Sequence, residues 1–234
     1  KEWDSRLQAG RFALNTGWLP EKVLDELVNG HPVLYRVTVP EGLTWWQTGK
    51  VLEEAGLVVF EDFRKVVTDP DFLRHYGIPF ATAEGFLMPD TYLLKKNEVV
   101  DLAQARAVAG RMVDNFWRKT ANVWPDGTKP GPAQAAQLKT WIILASIVEK
   151  ESGIDAERAR VAGVYQNRIN KGMLLQADPT VIYGLGPNFD GNLRRRDLDD
   201  ANNIYNTYQR PGLPPGPICS FGASALAAAI TPEE

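Results

Sequence analysis

The stretch from residue 137 to residue 186 constrains the chain most, because its first half repeats with a helical period. Leu138, Ile142, Ala145 and Glu149 follow one another at steps of four, three and four residues, so they share one helix face. That face is apolar until it reaches the Glu149 carboxylate. A carboxylate that ends a core-facing stripe is expected to be partly desolvated, which raises its pKa and lets it hold a proton near neutral pH. The pattern therefore predicts a helix that carries Glu149 as a candidate general acid.

The end of this helix also has a purely structural interpretation. A glutamate on a helix is usually solvated or ion-paired, and Glu149 can simply pair with Lys150 or with a nearby arginine. Glu151 lies about 200° further round the helix, at roughly 100° per residue, so we expect its side chain to point elsewhere. Periodicity alone does not decide between a catalytic and a structural Glu149.

A second helix is predicted from about residue 156 to residue 170. Asp155 is its expected N-cap, and Gly172 lies just past its end. The apolar spacing predicts an inner face made of Val161, Val164, Tyr165 and Ile169.

Residues 174–183 are predicted to form an extended strand or loop. Gln176, Asp178 and Thr180 are spaced by two, so an extended backbone points all three to one side. Pro179 also favours an extended conformation at Asp178. An amide, a carboxylate and a hydroxyl beside a helix with a partly buried glutamate suit a polyhydroxylated ligand. The alternative is a turn-rich connection whose polar side chains only satisfy the loop backbone.

Three sequence blocks resemble one known family. They read ASIVEKES (residues 145–152), VYQNRINKGMLLQADPTVIYGLG (164–186) and IYNTYQRPGLPPGPI (204–218). Together they closely resemble the YceG-like family of endolytic murein transglycosylases, in the family's order and spacing, and the resemblance covers most of residues 7–230. It implies that the first glutamate of the motif, Glu149, is the catalytic acid. It implies a substrate-binding set made of Gln176, Asp178, Thr180, Asn206, Thr207 and Tyr208.

The resemblance also implies a reaction, which is cleavage of the β-1,4 bond between N-acetylmuramic acid and N-acetylglucosamine in cell-wall assembly. The acid protonates the departing O4, and the C6 hydroxyl of the substrate then closes onto C1 to give a 1,6-anhydro end. Neither a metal nor an organic cofactor is implied. Two alternatives stay open. One is a lysozyme-like hydrolase with Asp178 as second carboxylate, and the other is a glycan-binding module without catalysis.

Composition narrows the class of protein. A hydrophobic content of 44% and a charged content of 24% are those of an ordinary globular protein. The net charge is −3, and acidic residues directly follow the Arg194–Arg196 cluster, which disfavours a nucleic-acid partner. Cys219 is the only cysteine, so an internal disulfide and a thiolate metal site are excluded. His31 and His75 are far apart in sequence and are not predicted to be ligands.

The predicted fold class is α+β, with a small N-terminal domain in residues 1–80 and a largely helical catalytic domain in residues 81–234. The first domain is expected to be a βαβα unit, with strands at 7–14 and 33–39 and helices at 20–29 and 44–55. It resembles the glycan-binding LysM-like part of the family. Trp45 and Trp46 are therefore candidates for stacking on sugar rings, with a role in the core as the alternative.

The remaining segments are predicted to be helices, a loop and a linker. Residues 60–75 form a helix broken at Asp69-Pro70, and 84–92 form a loop that resembles a family block and can border the cleft. A helix is expected at 99–117, a linker at 121–133, a short helix at 193–200 and a final helix at 224–230.

No apolar segment of about 18 residues occurs, so a membrane span is not predicted within the chain. The resemblance implies an N-terminal membrane anchor before Lys1, and a further segment after the C-terminal end. It places this part on the periplasmic side of a bacterial inner membrane, bound to peptidoglycan strands and working beside peptidoglycan synthases.

Overall fold

The computed structural model describes residues 7, 11–30, 33–97 and 99–233. Within these ranges the chain forms an α+β fold, as predicted, with about half of its residues in helices and a small two-stranded sheet. The elements in chain order are α1 (Pro20–Asn29), β1 (Leu34–Val39), α2 (Trp45–Glu54), α3 (Phe60–Val67), α4 (Pro70–Tyr76), β2 (Asp90–Lys95), α5 (Leu102–Lys119), α6 (Ala135–Glu151), α7 (Arg158–Asn170), α8 (Asp178–Leu185), α9 (Arg195–Leu198) and α10 (Ala223–Ile230). None of the helices in the described ranges is both long and apolar enough to cross a bilayer.

The sheet consists of β1 and β2, which pair antiparallel from Leu34 opposite Lys95 to Val39 opposite Asp90. The alternation predicted for residues 33–39 is confirmed, since Val37 and Val39 are buried while their neighbours are exposed. The expected strand at 7–14 falls partly outside the described residues, and residues 11–14 are not in a strand.

The arrangement around the sheet differs from the predicted βαβα unit. Three helices, α2 to α4, separate the two strands, and β2 lies beyond the expected boundary at residue 80. Residues 84–89 are a turn, as expected, but Asp90-Thr91-Tyr92 begins the second strand. The structure therefore does not support the βαβα order, and the division into two domains stays a sequence-based interpretation.

The helices around the sheet begin and end where local chemistry requires. Thr44 caps α2, because its hydroxyl accepts from the Gln47 amide while the Gln47 side chain accepts from the Thr44 amide. Helices α3 and α4 are separate, as the Asp69-Pro70 pair predicts, and the Asp69 side chain caps α4.

Helix α6 is the centre of the core. Eight consecutive residues, 141–148, are buried on all sides of the helix. Helices α7 and α10 pack against it, and a cluster of aromatic rings that includes Phe116, Trp124 and Trp141 lies beside it. The predicted helix is confirmed, but its apolar surface is wider than the single stripe that the periodicity predicts.

Two distant loops meet above the C-terminal end of α6. The Gly42 amide donates to the Ser220 carbonyl at 2.8 Å, and the Ser220 amide donates to the Leu43 carbonyl at 2.7 Å. The Lys150 ammonium also donates to the Gly42 carbonyl at 3.3 Å. These bonds fix the loop after β1 and the segment before α10 over the same helix end.

Candidate active site

Glu149 and Glu151 occupy the last turn of α6, and their side chains lead to different surroundings. The helix ends at Ser152, whose hydroxyl bonds the Ile154 carbonyl at 2.8 Å and turns the chain toward α7. The two side chains have different neighbours, Arg158 for Glu149 and the lining of a cleft for Glu151, as expected for positions roughly 200° apart on a helix.

The Glu149 carboxylate forms a buried ion pair with Arg158 at the start of α7. Arg158 donates from Nη1 to Oε2 at 2.7 Å and from Nη2 to Oε1 at 3.2 Å. The Gly222 amide donates to Oε2 at 3.0 Å. The two side chains are only 6% and 7% exposed, so both carboxylate oxygens already have partners in a dry environment. This is the arginine partner that the structural interpretation of Glu149 requires.

Arg158 joins two further carboxylates to this pair. Asp155 lies 2.9 Å from its Nε and Glu41 lies 3.6 Å from its Nη2. Burial chiefly raises the pKa of Glu41, and the negative charge of Glu149 adds to the rise. A Cβ on Gly222 would clash with a carboxylate oxygen of Glu41, so only glycine fits there without moving Glu41. The cluster thus connects α6, α7, the loop after β1 and the turn before α10.

Glu151 instead faces a cleft of about 240 Å³ between α6, α7 and the segment before α8. The residues that line the cleft are Glu151, Val161, Val164, Tyr165, Arg168 and Gln176. Glu151, which the helical angle places away from Glu149, is therefore the glutamate that reaches the cleft.

The environment of Glu151 favours its protonated form. Partial burial is the main cause that raises the pKa of its carboxyl group above the ordinary value. The Tyr165 hydroxyl opposes the rise, and the negative charge of Asp178 adds to it. Glu151 is still exposed at the surface of the cleft, so a ligand can reach it. A reachable carboxyl group with a raised pKa is a candidate general acid.

Asp178 and Tyr208 lie close enough to Glu151 to interact with its carboxyl group electrostatically. The Tyr208 hydroxyl donates to Asp178 Oδ1 at 2.6 Å, and this bond is the main cause that raises the pKa of Tyr208 to about 12. Gln176 is exposed and lines the cleft. Its backbone has a φ of 52°, in the left-handed region, and its amide bonds the Thr207 carbonyl at 3.1 Å. The structure thus brings Gln176, Asp178 and Tyr208 together beside Glu151.

The expectation that residues 174–183 form a strand or loop was wrong for its second half. Asp178 begins α8, with Pro179 in the first turn. Proline is favoured there because its missing N–H would have no partner in the helix and its φ is already helical. In a helix, residues spaced by two diverge, so Thr180 does not share a side with Gln176 and Asp178.

Three members of the predicted substrate-binding set are buried within the protein. Thr180 and Thr207 are at most 1% exposed, with their hydroxyl groups 2.9 Å apart. Asn206 is fully buried, and its amide nitrogen donates to the carbonyls of residues 197, 198 and 200. The hydrogen bonds of these side chains are to one another and to the backbone of the described chain.

Helix α7 supplies cleft residues that the sequence interpretation assigned differently. Its start at Arg158 follows a short 3-10 turn that contains Asp155, so Asp155 is not the N-cap. Val164 is 50% exposed in the cleft, although it was expected on the inner face with Tyr165. Arg168, which the sequence did not single out, donates to the Leu175 carbonyl and closes one side. Arg168 lies three residues after Tyr165 on the same helix, and this spacing was the sequence signal that could have placed the two side chains on one face.

The sequence profile of the YceG-like family matches residues 1–234, which is the whole chain. The chain belongs to the YceG-like family. Its motif ASIVEKES therefore lies in α6, and its motif QADPT spans the start of α8.

Curated relatives carry the name endolytic murein transglycosylase. The relative from Bacillus subtilis (strain 168) is 28% identical over 250 aligned residues, which cover 98% of this chain and 65% of the relative. The relative from Streptococcus pneumoniae (strain ATCC BAA-255 / R6) is 27% identical over 253 aligned residues, covering 96% of this chain and 44% of the relative. The chain thus spans about two thirds or less of their length.

A solved structure supports the fold. The crystal structure of a yceG-like protein from Listeria monocytogenes superposes with a TM-score of 0.70 at 29% identity. The match covers 99% of this chain and 78% of the Listeria chain.

Proposed function

We propose that this chain is the catalytic part of an endolytic murein transglycosylase that cuts the bond between N-acetylmuramic acid and N-acetylglucosamine. The names of its relatives support the reaction class. The observation that carries the proposal is Glu151, a reachable carboxyl group with a raised pKa in a cleft beside Gln176 and Asp178.

Glu151 is the proposed proton donor. It transfers its proton to the glycosidic O4 as the bond to C1 breaks, which leaves an oxocarbenium-like centre at C1. The C6 hydroxyl of the muramic acid then attacks C1, and its proton returns to the Glu151 carboxylate. The products are a free 4-hydroxyl and a 1,6-anhydro end, and Glu151 is again protonated. One carboxyl group is sufficient for this sequence.

Gln176, Asp178 and Tyr208 are proposed to orient the glycan and to stabilise charge. Asp178 is exposed and accepts the Tyr208 hydroxyl, and we place its carboxylate beside the positive charge that develops at C1. Its negative charge also supports the protonated form of Glu151. Three buried residues are proposed to support the shape of the cleft without contacting the glycan: Thr180, Asn206 and Thr207.

Glu149 is the acid that the family resemblance selects, and it stays the alternative to Glu151. Its two oxygens are occupied by Arg158 and Gly222, so donation to a glycan would require this buried pair to open. We therefore assign Glu149 to holding the end of α6 in place, with Glu151 as the group that reacts.

The test is mass spectrometry of muropeptides released from purified peptidoglycan by the wild-type chain, Glu151→Gln and Glu149→Gln. We expect anhydro-ended products, lighter by one water than hydrolysed ones, from the wild type and none from Glu151→Gln. Glu149→Gln should keep measurable activity, because glutamine can still accept the Gly222 amide. Activity in Glu151→Gln together with its loss in Glu149→Gln would reverse the assignment of the acid.

The same experiment distinguishes the other reaction classes. Reducing-ended products would favour a hydrolase in which Asp178 serves as second carboxylate, and Asp178→Asn would then abolish them. Binding of glycan without any release would favour a binding module. In that case residues 1–80, with half-buried Trp45 and Trp46, are the candidate binding region.

The proposed substrate implies a place outside the cytoplasm, because peptidoglycan strands are found there. We propose that a preceding membrane anchor holds the full protein at the inner membrane, beside peptidoglycan synthases. Fractionation of cells that produce the full-length protein tests this, and recovery in the cytoplasmic fraction would contradict it.

A further inference from the structure

A groove remote from the Glu151 cleft runs between β2 and α5. One part has a volume of about 650 Å³, and a second part of about 410 Å³ continues it toward the start of β2. Leu93, Arg111 and Asp114 line both parts. The groove thus follows the strand along its length, and none of the proposed catalytic residues lines it.

The edge of β2 that faces away from β1 is open at its centre. β1 is the only strand that pairs with β2 in the described part of the chain. At the two ends of this edge, the Thr91 amide donates to Asp90 Oδ1 at 2.8 Å and the Lys95 carbonyl accepts from Gln104 Nε2 at 2.9 Å. Because backbone groups of an antiparallel strand alternate between its two edges, the N–H and C=O of Leu93 lie on this same edge.

No described residue bonds the Leu93 backbone on that edge. The Leu93 residue is 51% exposed, and Leu34, which also lines the groove, is 45% exposed. An edge with unpaired donor and acceptor groups, flanked by exposed leucines, is a template for an added strand.

The charges along the groove select what can pair there. Its titratable lining has four cations (Lys95, Arg106, Arg111 and Arg118) and two carboxylates (Asp90 and Asp114), which is a difference of two positive charges. Arg106 is already paired with Asp69 at 2.8 Å, and Asp90 with Lys119 at 3.0 Å. The remaining three cations face one carboxylate. Arg111 forms no ion pair with any described residue and is exposed.

We propose that this groove binds an extended, acidic segment of a partner protein, which adds as a strand to the free edge of β2. Its backbone pairs with the N–H and C=O of Leu93, and its carboxylates meet Arg111 and Arg118 on α5. The strand gives affinity through main-chain bonds, and the arginines select acidic side chains over basic ones. This inference is independent of the chemistry of the Glu151 cleft.

A peptide fits these features better than a nucleic acid does. The free strand edge offers one donor and one acceptor at the spacing of a polypeptide backbone, which a sugar-phosphate chain does not match. The Asp114 carboxylate in the groove and the net charge of −3 for the chain also repel a polyphosphate.

The test is an NMR titration of the isotope-labelled full chain with a capped synthetic peptide of alternating valine and glutamate. The same peptide with lysine at each glutamate position is the control. We expect shifts at Leu93 and along the groove-facing side of α5, and slower hydrogen exchange of the Leu93 amide. The lysine peptide should bind at least tenfold more weakly.

Two variants locate the effect. Arg111→Glu, at an exposed position, should weaken binding of the glutamate peptide about tenfold or more, while Leu93→Pro should abolish it. Proline at this position removes only an N–H that points away from β1, so pairing with β1 is retained. Both variants should release muropeptides as the wild type does.

The proposal is overturned if neither peptide shifts Leu93, if both bind equally, or if Arg111→Glu binds the glutamate peptide as well as the wild type does. Shifts at the groove caused only by a single-stranded oligonucleotide would identify a nucleic-acid site and equally overturn it. Circular dichroism of each variant separates loss of binding from loss of folding.

Discussion

At the scale of single residues, Glu84 is a buried acid that lies outside the catalytic proposal. It is 1% exposed, and its Oε2 accepts the Trp45 amide at 2.9 Å. Burial raises the pKa of its carboxyl group from 4.5 to about 8, although the Trp45 amide opposes the rise. Tyr183, Tyr205 and Cys219 also face this carboxyl group. Glu84 is therefore protonated in the folded chain at neutral pH.

This burial predicts a pH dependence of stability. Between pH 4.5 and about 8 the unfolded chain releases the Glu84 proton while the folded chain keeps it. The free energy of unfolding contributed by this group is thus fully present below pH 4.5 and is lost as pH rises to about 8. Glu84→Gln removes this pH dependence. The free energy of unfolding of the variant should therefore increase relative to that of the wild type as pH rises across that range. Urea denaturation at several pH values measures it.

The exposed Glu54→Gln is the matched control for Glu84→Gln, since it makes the same substitution at a surface position on α2. A difference between Glu84→Gln and the wild type that stays constant from pH 4.5 to 8 would refute the buried protonated state.

Arg158 supports a second prediction at this scale. Its removal leaves the buried Glu149 carboxylate with the Gly222 amide but without a counter-charge. Arg158→Ala should therefore lower the free energy of unfolding by about 3–5 kcal/mol. The double variant Arg158→Ala, Glu149→Leu should regain much of the loss, because no uncompensated charge remains. Chemical denaturation of the four proteins in this double-mutant cycle gives the coupling energy, and additive effects would contradict the pairing.

At the scale of elements, α6 is the helix on which the site depends. Leu144 is fully buried in its centre, where neighbouring helices leave little room for collapse into a cavity. Leu144→Ala should cost about 2–5 kcal/mol of unfolding free energy. Lys139→Ala, on the exposed side of the same helix, should change it by less than about 0.5 kcal/mol. Guanidinium denaturation compares the two, and equal effects would place the core elsewhere.

Sequence pattern predicted long elements better than short ones. α6 has enough turns for its period to be recognised, and the boundaries of α1 and α2 follow from proline, threonine and glycine chemistry. α8 has eight residues that begin with Asp-Pro-Thr, and in so few residues a spacing of two fits a strand as well as a helix. Thr180 was consequently assigned to the cleft, although it is buried.

The choice between Glu149 and Glu151 depends on side-chain exposure, which the sequence pattern did not predict. Helix geometry alone predicted that the two side chains diverge. Which of them meets solvent depends on where α7 and α8 pack, because Arg158 covers one and Tyr165 flanks the other. Apolar spacing does not encode that packing. The apolar stripe of α6 therefore led to the selection of Glu149, which is the more buried glutamate.

At the scale of the whole molecule, the fold depends on contacts between distant parts of the chain. β1 pairs with β2 across more than fifty residues, and one hydrophobic core extends from Val37 to Ala229. Local pattern predicts strand 34–39 but not its partner, because antiparallel pairing across three intervening helices has no signal in a single sequence. Buried residues on both sides of the predicted boundary at residue 80 belong to this core, and the division into two domains stays a prediction.

The bonds between Gly42, Leu43 and Ser220 also determine the order in which the molecule can be completed. A chain made from its N-terminal end has β1 and α6 long before Ser220 and Gly222 are synthesised. Until then the last turn of α6 lacks the bond from the Gly222 amide to Glu149, although the Lys150 bond to Gly42 and the Arg158 ion pair can already form. The contacts around the last turn of α6 are therefore completed only after a segment made later than α6 and α7 has been synthesised.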